Sequence, residues 1–258
     1  MKTASSIISL LILTSALFLG ITMRTHSEAL PEGKMVSYKS DGETVSGFLV
    51  TPEGKGPFPA IIVIQEWWGL NDQIKNQAKK LAKEGYVTLA VDLYRGKVTT
   101  DPEEAHELLR GLPEDRALRD LISAVSYLKT LPNVTKDKIG SIGWCMGGGY
   151  SLSLAINSPD ITACVIYYGR LITDKDQLRR TNASVIGFFG EEDRGIPPSS
   201  VNAFEEDMKA LGKNVSVYIY PRAGHAFANE EKPSYNPKAA RDSWEKTLSF
   251  FNQKLESK

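Results

Sequence analysis

The heptapeptide Gly143-Trp144-Cys145-Met146-Gly147-Gly148-Gly149 separates a stretch that reads as a β-strand, Lys138 to Ile142, from an apolar, helix-compatible stretch, Tyr150 to Ile156. Gly-x-Cys-x-Gly at such a junction is the pattern of a sharp turn that lifts a nucleophile out of a sheet. The turn holds its central residue in a strained backbone conformation. A side chain two positions to either side would meet the neighbouring strand or helix, so residues 143 and 147 need to be glycine. Cys145 is therefore the candidate nucleophile.

Outward from this turn, strands and helices alternate. On the N-terminal side, Met35 to Lys39 and Thr44 to Thr51 read as strands around Asp41-Gly42, a hairpin signal. A Pro/Gly loop from Pro52 to Pro59 precedes Ala60 to Ile64, an unbroken apolar run suited to a strand buried on both faces. Asn71 or Asp72 caps a helix that runs to Glu84, Gly85 ends it, and Tyr86 to Val91 is the next strand. Asp101-Pro102-Glu103 starts another helix with proline at its first position. A longer one spans Pro113 to Lys129, with Leu118, Leu121, Ile122, Val125 and Leu128 on one face. Beyond the turn come strands at Ala163 to Tyr167, Ser184 to Phe189 and Val215 to Tyr220, and helices at Pro198 to Leu211 and Pro237 to Leu255. This alternation predicts an α/β fold, a mostly parallel sheet with helices on both faces.

The 258 residues suit one large domain, expected from residue 30 to the end. With 31 basic and 31 acidic residues and no basic stripe interleaved with aromatics, nucleic acid is not an expected partner, and a small molecule is. Cys145 and Cys164 are the two cysteines of the chain, which excludes a disulfide scaffold and zinc-site Cys/His spacing. Neither metal nor cofactor is expected. Cys164 is placed at the start of its strand, about four residues from that strand's carboxyl end, so the two thiols lie too far apart to pair. Residues 1–29 read as a signal peptide, with Lys2, an apolar run from Ile7 to Met23 and a small-x-small site ending at Ala29. That makes the protein exported, periplasmic or secreted. The alternative is a membrane anchor formed by residues 7–23.

Parallel α/β sheets place reactive groups beyond the carboxyl ends of their strands. Four candidates stand there: Glu66, Cys145, Asp193 within Gly190-Glu191-Glu192-Asp193, and His225 within Ala223-Gly224-His225-Ala226-Phe227. Of the three histidines, His26 falls in the export segment and His106 on a charged helix, which leaves His225 as the candidate general base. The chain order of cysteine, aspartate and histidine is nucleophile, acid, base.

With Gln65-Glu66 followed by an aromatic and Gly69, then Asp92-Leu93-Tyr94 and Gly143 to Gly148, then Gly190 to Asp193 and Ala223 to Phe227, the chain resembles the dienelactone hydrolase family of α/β-hydrolases. The resemblance spans Val36 to Leu255. It implies a Cys145-His225-Asp193 triad with a thioester intermediate, oxyanion donors at the backbone N–H groups of Met146 and Trp67, and Glu66 as the residue that helps form the thiolate. The implied activity is hydrolysis of small esters or lactones. A non-catalytic small-molecule binding protein on the same fold is the alternative. The resemblance also places Tyr94, Arg95 and Asn229 at the substrate. Family members grip a substrate carboxylate with arginines, one of them four residues after the histidine, where this chain has Asn229. A second is sought among Arg95, Arg110, Arg116 and Arg119. Without the arginine at 229, neutral substrates are expected to be preferred.

Overall fold

The run Phe58–Ile64 (β3) shows why the sheet sits in the middle of the molecule: Ile62 and Ile64 pack on one face, Ile61 and Val63 on the other, and all four are fully buried. A strand wrapped on both sides can be apolar throughout. The structure, a computed structural model, describes residues 29–256, so the segment read as a signal peptide or anchor lies almost wholly outside it. Among the described residues no helix is long and apolar enough to cross a membrane.

Eight strands form one sheet in the order β1-β2-β4-β3-β5-β6-β7-β8. The others are β1 (Gly33–Ser40), β2 (Glu43–Val50), β4 (Val87–Val91), β5 (Val134–Trp144), β6 (Ile161–Tyr167), β7 (Ser184–Gly190) and β8 (Val215–Tyr220). β1 pairs antiparallel with β2 and β2 antiparallel with β4; every later pairing is parallel. The β1–β2 turn uses Asp41 and Gly42, both at positive φ, the backbone twist that a two-residue hairpin favours.

Residues of α1 (Asp72–Lys83) and α7 (Pro237–Phe251) cover one face of the sheet, and those of α3 (Glu114–Thr130), α4 (Met146–Asn157) and α6 (Pro198–Ala210) the other. Asn71 caps α1, accepting the Ile74 N–H at 3.1 Å, and Asp101 caps α2 (Pro102–Arg110), accepting from Glu103 and Glu104. Only Ala105 of α2 is buried, so this helix lies on the surface.

Several boundaries differ from the sequence reading. α4 starts at Met146 rather than Tyr150 and so includes three glycines, poor helix formers, two of which let the first turn press against the backbone at the ends of β3 and β6. Cys164 lies in the middle of β6, opposite Ser141, not at its start; both thiols are free as expected. α7 ends at Phe251 and a π-turn (Asn252–Glu256) follows, and a short α5 (Lys175–Leu178), capped by Asp174, had no strong sequence signal.

Candidate active site

Cys145 sits between β5 and α4 at φ 54° and ψ −116°, a conformation that costs a non-glycine residue about 1–3 kcal/mol and persists only where the surroundings impose it. They do so by close approach. A Cβ on Gly143 would run into the Gly147 carbonyl, and one on Gly147 into the Ile64 and Gln65 carbonyls at the end of β3. The Cys145 N–H is fixed by the Tyr167 carbonyl at 3.0 Å. The thiol is thereby held beyond the sheet's carboxyl edge, half-buried.

The loops after β7 and β8 bring Asp193 and His225 together. Asp193 Oδ2 lies 2.7 Å from His225 Nδ1, and its Oδ1 accepts the N–H groups of Gly195 at 2.9 Å and Ile196 at 3.1 Å. Burial opposes the Asp193 charge, but the histidine and these N–H groups outweigh it and hold the carboxyl below its usual range. Burial likewise disfavours the His225 cation. Hydrogen bonds to the Asp193 carboxylate and the Cys145 sulfur, with negative charge on those groups, overcome it and push the imidazole up from 6.5 to about 10. His225 thus stands between the acid and the thiol, with its ring edge-on to Tyr168 at 5.2 Å between centroids.

Met146 opens α4, so its N–H has no partner within the helix. Trp67 lies in the turn that follows β3, closed by the Gly69 N–H on the Glu66 carbonyl. The Trp67 ring is packed at 4.7 Å against Trp68 and edge-on against His106 of α2. His106 is exposed, as its charged helix suggested.

Glu66 is 2% exposed. Its Oε2 accepts from Asn229 Nδ2 at 2.8 Å while Oε1 has no hydrogen-bond partner. Burial pushes its pKa up, against the pull of Asn229 and of the His225 and Lys232 charges. Sequence reasoning missed Tyr168, a buried residue at φ 38° just past β6. Its hydroxyl faces Glu66 and Cys145 without closing a hydrogen bond of ordinary geometry, and burial drives its pKa far up. The positive φ that brings it there left no mark on the sequence.

The three substrate-binding expectations fare differently. Tyr94 is beside the thiol, its hydroxyl donating to Met146 Sδ at 3.3 Å. Asn229 is buried and doubly bonded: it is 2% exposed, its Nδ2 donates to Glu66 and its Oδ1 accepts the Glu231 N–H at 3.0 Å. The amide is committed to the Glu66 side chain and the Glu231 backbone, and position 229 brings no positive charge to the site. Arg95 is paired with Asp120 at 2.7 Å and Glu43 at 3.1 Å. Arg119 pairs with Asp41, and Arg110 lies on the exposed face of α2. Arg116 bonds the Leu93 carbonyl at 3.4 Å and lines, with Tyr94, Arg95, Lys97 and Leu108, a cavity of about 370 Å³. Among the described residues no cluster of three or more His, Cys, Asp or Glu could hold a metal ion.

A doubly covered, mostly parallel sheet whose middle strand ends in this turn is an α/β-hydrolase fold. The family model for the dienelactone hydrolase family matches residues 45–255. The chain belongs to that family and is a hydrolase. It is 32% identical to a protein of Methylorubrum extorquens named "Putative carboxymethylenebutenolidase", over 90% of this chain and 84% of the relative. It is similar to the crystal structure of a "Putative Dienelactone Hydrolase" from Klebsiella pneumoniae, with a TM-score of 0.80 and 28% identity over 86% of this chain and 98% of the other. A dienelactone hydrolase-like promiscuous phosphotriesterase from metagenomic libraries superposes with a TM-score of 0.80 at 25% identity, over 88% of this chain and all of its own.

Proposed function

We propose that this enzyme hydrolyses small carboxylic esters or lactones through Cys145, with His225 as proton carrier and Asp193 orienting the imidazole. The observation that carries this reading is His225 itself, flanked by Asp193 on one side and the Cys145 thiol on the other. The thiolate attacks the carbonyl carbon, the carbonyl electron pair moves to oxygen, and the N–H groups of Met146 and Trp67 stabilise the oxyanion. Collapse expels the alcohol oxygen, which takes the proton from His225, and leaves a thioester on Cys145. Water, deprotonated by the same imidazole, then releases the acid. Glu66, close enough to sense the His225 charge, assists removal of the thiol proton when substrate arrives. The cavity beside Tyr94 falls in the size range of small-ligand sites, although Cys145 is not in its lining.

The test is a panel of small aryl esters, lactones and thioesters, run with wild type and Cys145→Ala. Wild type turns over, the variant does not, and rapid quenching followed by mass spectrometry finds the acyl group on Cys145. Retained turnover in the alanine variant, or an acyl group on another residue, removes the assignment. We also infer export with cleavage after Ala29. N-terminal sequencing of the mature protein should begin at Leu30; a retained Met1 favours the anchor.

A further inference from the structure

We propose that Asp120 and Arg95 are positioning residues for the oxyanion site, acting through the 92–99 loop; the inference rests on Met146 and Trp67 being the oxyanion donors. This loop touches both sides of that site. Toward α4, the Tyr94 hydroxyl donates to Met146 Sδ at 3.3 Å. Toward the β3 turn, the Thr99 N–H donates to the Trp68 carbonyl at 3.0 Å, and the Lys97 carbonyl occupies the space that a side chain on Gly69 would need. The spacing between the two donors is therefore coupled to where the loop sits.

Two anchors set that position. Near the end of β4, Asp92 Oδ1 accepts the Tyr94 N–H at 3.1 Å and its Oδ2 accepts the Gly96 N–H. Across the loop, Arg95 adopts φ 56° and sends its guanidinium to Asp120 of α3, with Nη2 2.7 Å from Oδ2. Asp120 is fully buried. Arg95 is its one ion-pair partner among the described residues, and neither carboxylate oxygen makes a hydrogen bond of ordinary geometry. The same Arg95 nitrogen also meets Glu43, whose side chain is 57% exposed.

Stability does not account for this arrangement. A buried ion pair contributes little over an apolar pair of the same size, and a left-handed arginine adds backbone strain. What it supplies is a fixed point, since a buried carboxylate with one cationic partner tolerates few placements of that partner. Tyr94 lies between the two anchors.

The experiment compares Asp120→Asn, Arg95→Lys and Glu43→Gln in the full enzyme, using an aryl ester substrate and a trifluoromethyl ketone of matching shape. The ketone forms a tetrahedral adduct with the thiolate whose oxyanion reports on the donors. Asp120→Asn should lower kcat by about tenfold to hundredfold with KM within about twofold, and the inhibition constant of the ketone should rise by the same factor. Arg95→Lys should move the same way, and the exposed Glu43→Gln by less than about twofold. Folded variants with kcat and ketone affinity unchanged overturn the proposal, as does a rise in KM alone, which would return Arg95 to direct substrate contact. Where Asp120→Asn does not fold, Arg95→Lys decides by the same criteria. Turnover by Cys145→Ala would instead remove the underlying catalytic reading, whatever happens at position 120.

Discussion

Replacing Glu66 with glutamine should make the protein more stable and less active at once. The carboxyl is 2% exposed, one oxygen is held by Asn229 at 2.8 Å and the other has no partner. Burial raises its pKa above 4.5 in spite of Asn229, His225 and Lys232. With the folded value above the unfolded one, the wild type is penalised once the pH exceeds the folded pKa. The penalty fades as pH falls and is gone below the unfolded value. Glutamine keeps the shape and an oxygen for Asn229 but removes the unsatisfied charge, whose burial costs about 1–3 kcal/mol. A gain of about 1–2 kcal/mol is expected at neutral pH, or roughly 2–8 °C in Tm for a chain of this size. The proposed role of Glu66 in removing the thiol proton predicts that kcat/KM falls by about 10²–10⁴-fold. Thermal unfolding at about pH 7.5 and about pH 4, with ester kinetics at the higher pH, reads both. A variant that melts no higher than wild type at neutral pH, or a gap of equal size at both, would refute the reasoning.

Three further outcomes follow from the geometry. Gly147→Ala places a methyl group against the Ile64 and Gln65 carbonyls, so it should cost at least about 1–3 kcal/mol and lower Tm; an unchanged Tm would show room the turn does not have. In native protein a thiol reagent should modify Cys145 and leave Cys164 untouched until unfolding, because Cys164 is fully buried and burial pushes its thiol up to about 11 despite Ser151 and Ser141; a Cys145–Cys164 disulfide on non-reducing mass spectrometry would contradict both placements. His225, disfavoured as a cation by burial but raised overall to about 10 by Asp193 and Cys145, contributes stability that is complete below pH 6.5 and lost as pH rises through about 10. The Tm difference between wild type and His225→Gln should therefore shrink over that range, and a gap that widens would reverse the assignment.

The alternation of strands and helices, the helix starts at Asn71 or Asp72 and at Asp101, the Asp41-Gly42 hairpin and the sharp turn at Cys145 were legible in the chain, because each is set by neighbours within a few residues; the structure gives the first cap to Asn71. The order of Cys145, Asp193 and His225 was legible too, since a parallel sheet sends the ends of successive strands to the same edge. What the tertiary structure decided is where long side chains point. Asn229 turns inward to Glu66, a residue 163 positions away, and Arg95 pairs with Asp120 on α3, partners that the resemblance placing both at the substrate did not indicate. Tyr168 enters the site through a backbone conformation that tyrosine rarely adopts, and α4 begins four residues early on glycines of low helix propensity. In each case packing between elements distant in sequence outweighed the local preference, because a buried polar group must find its partner wherever the fold supplies one.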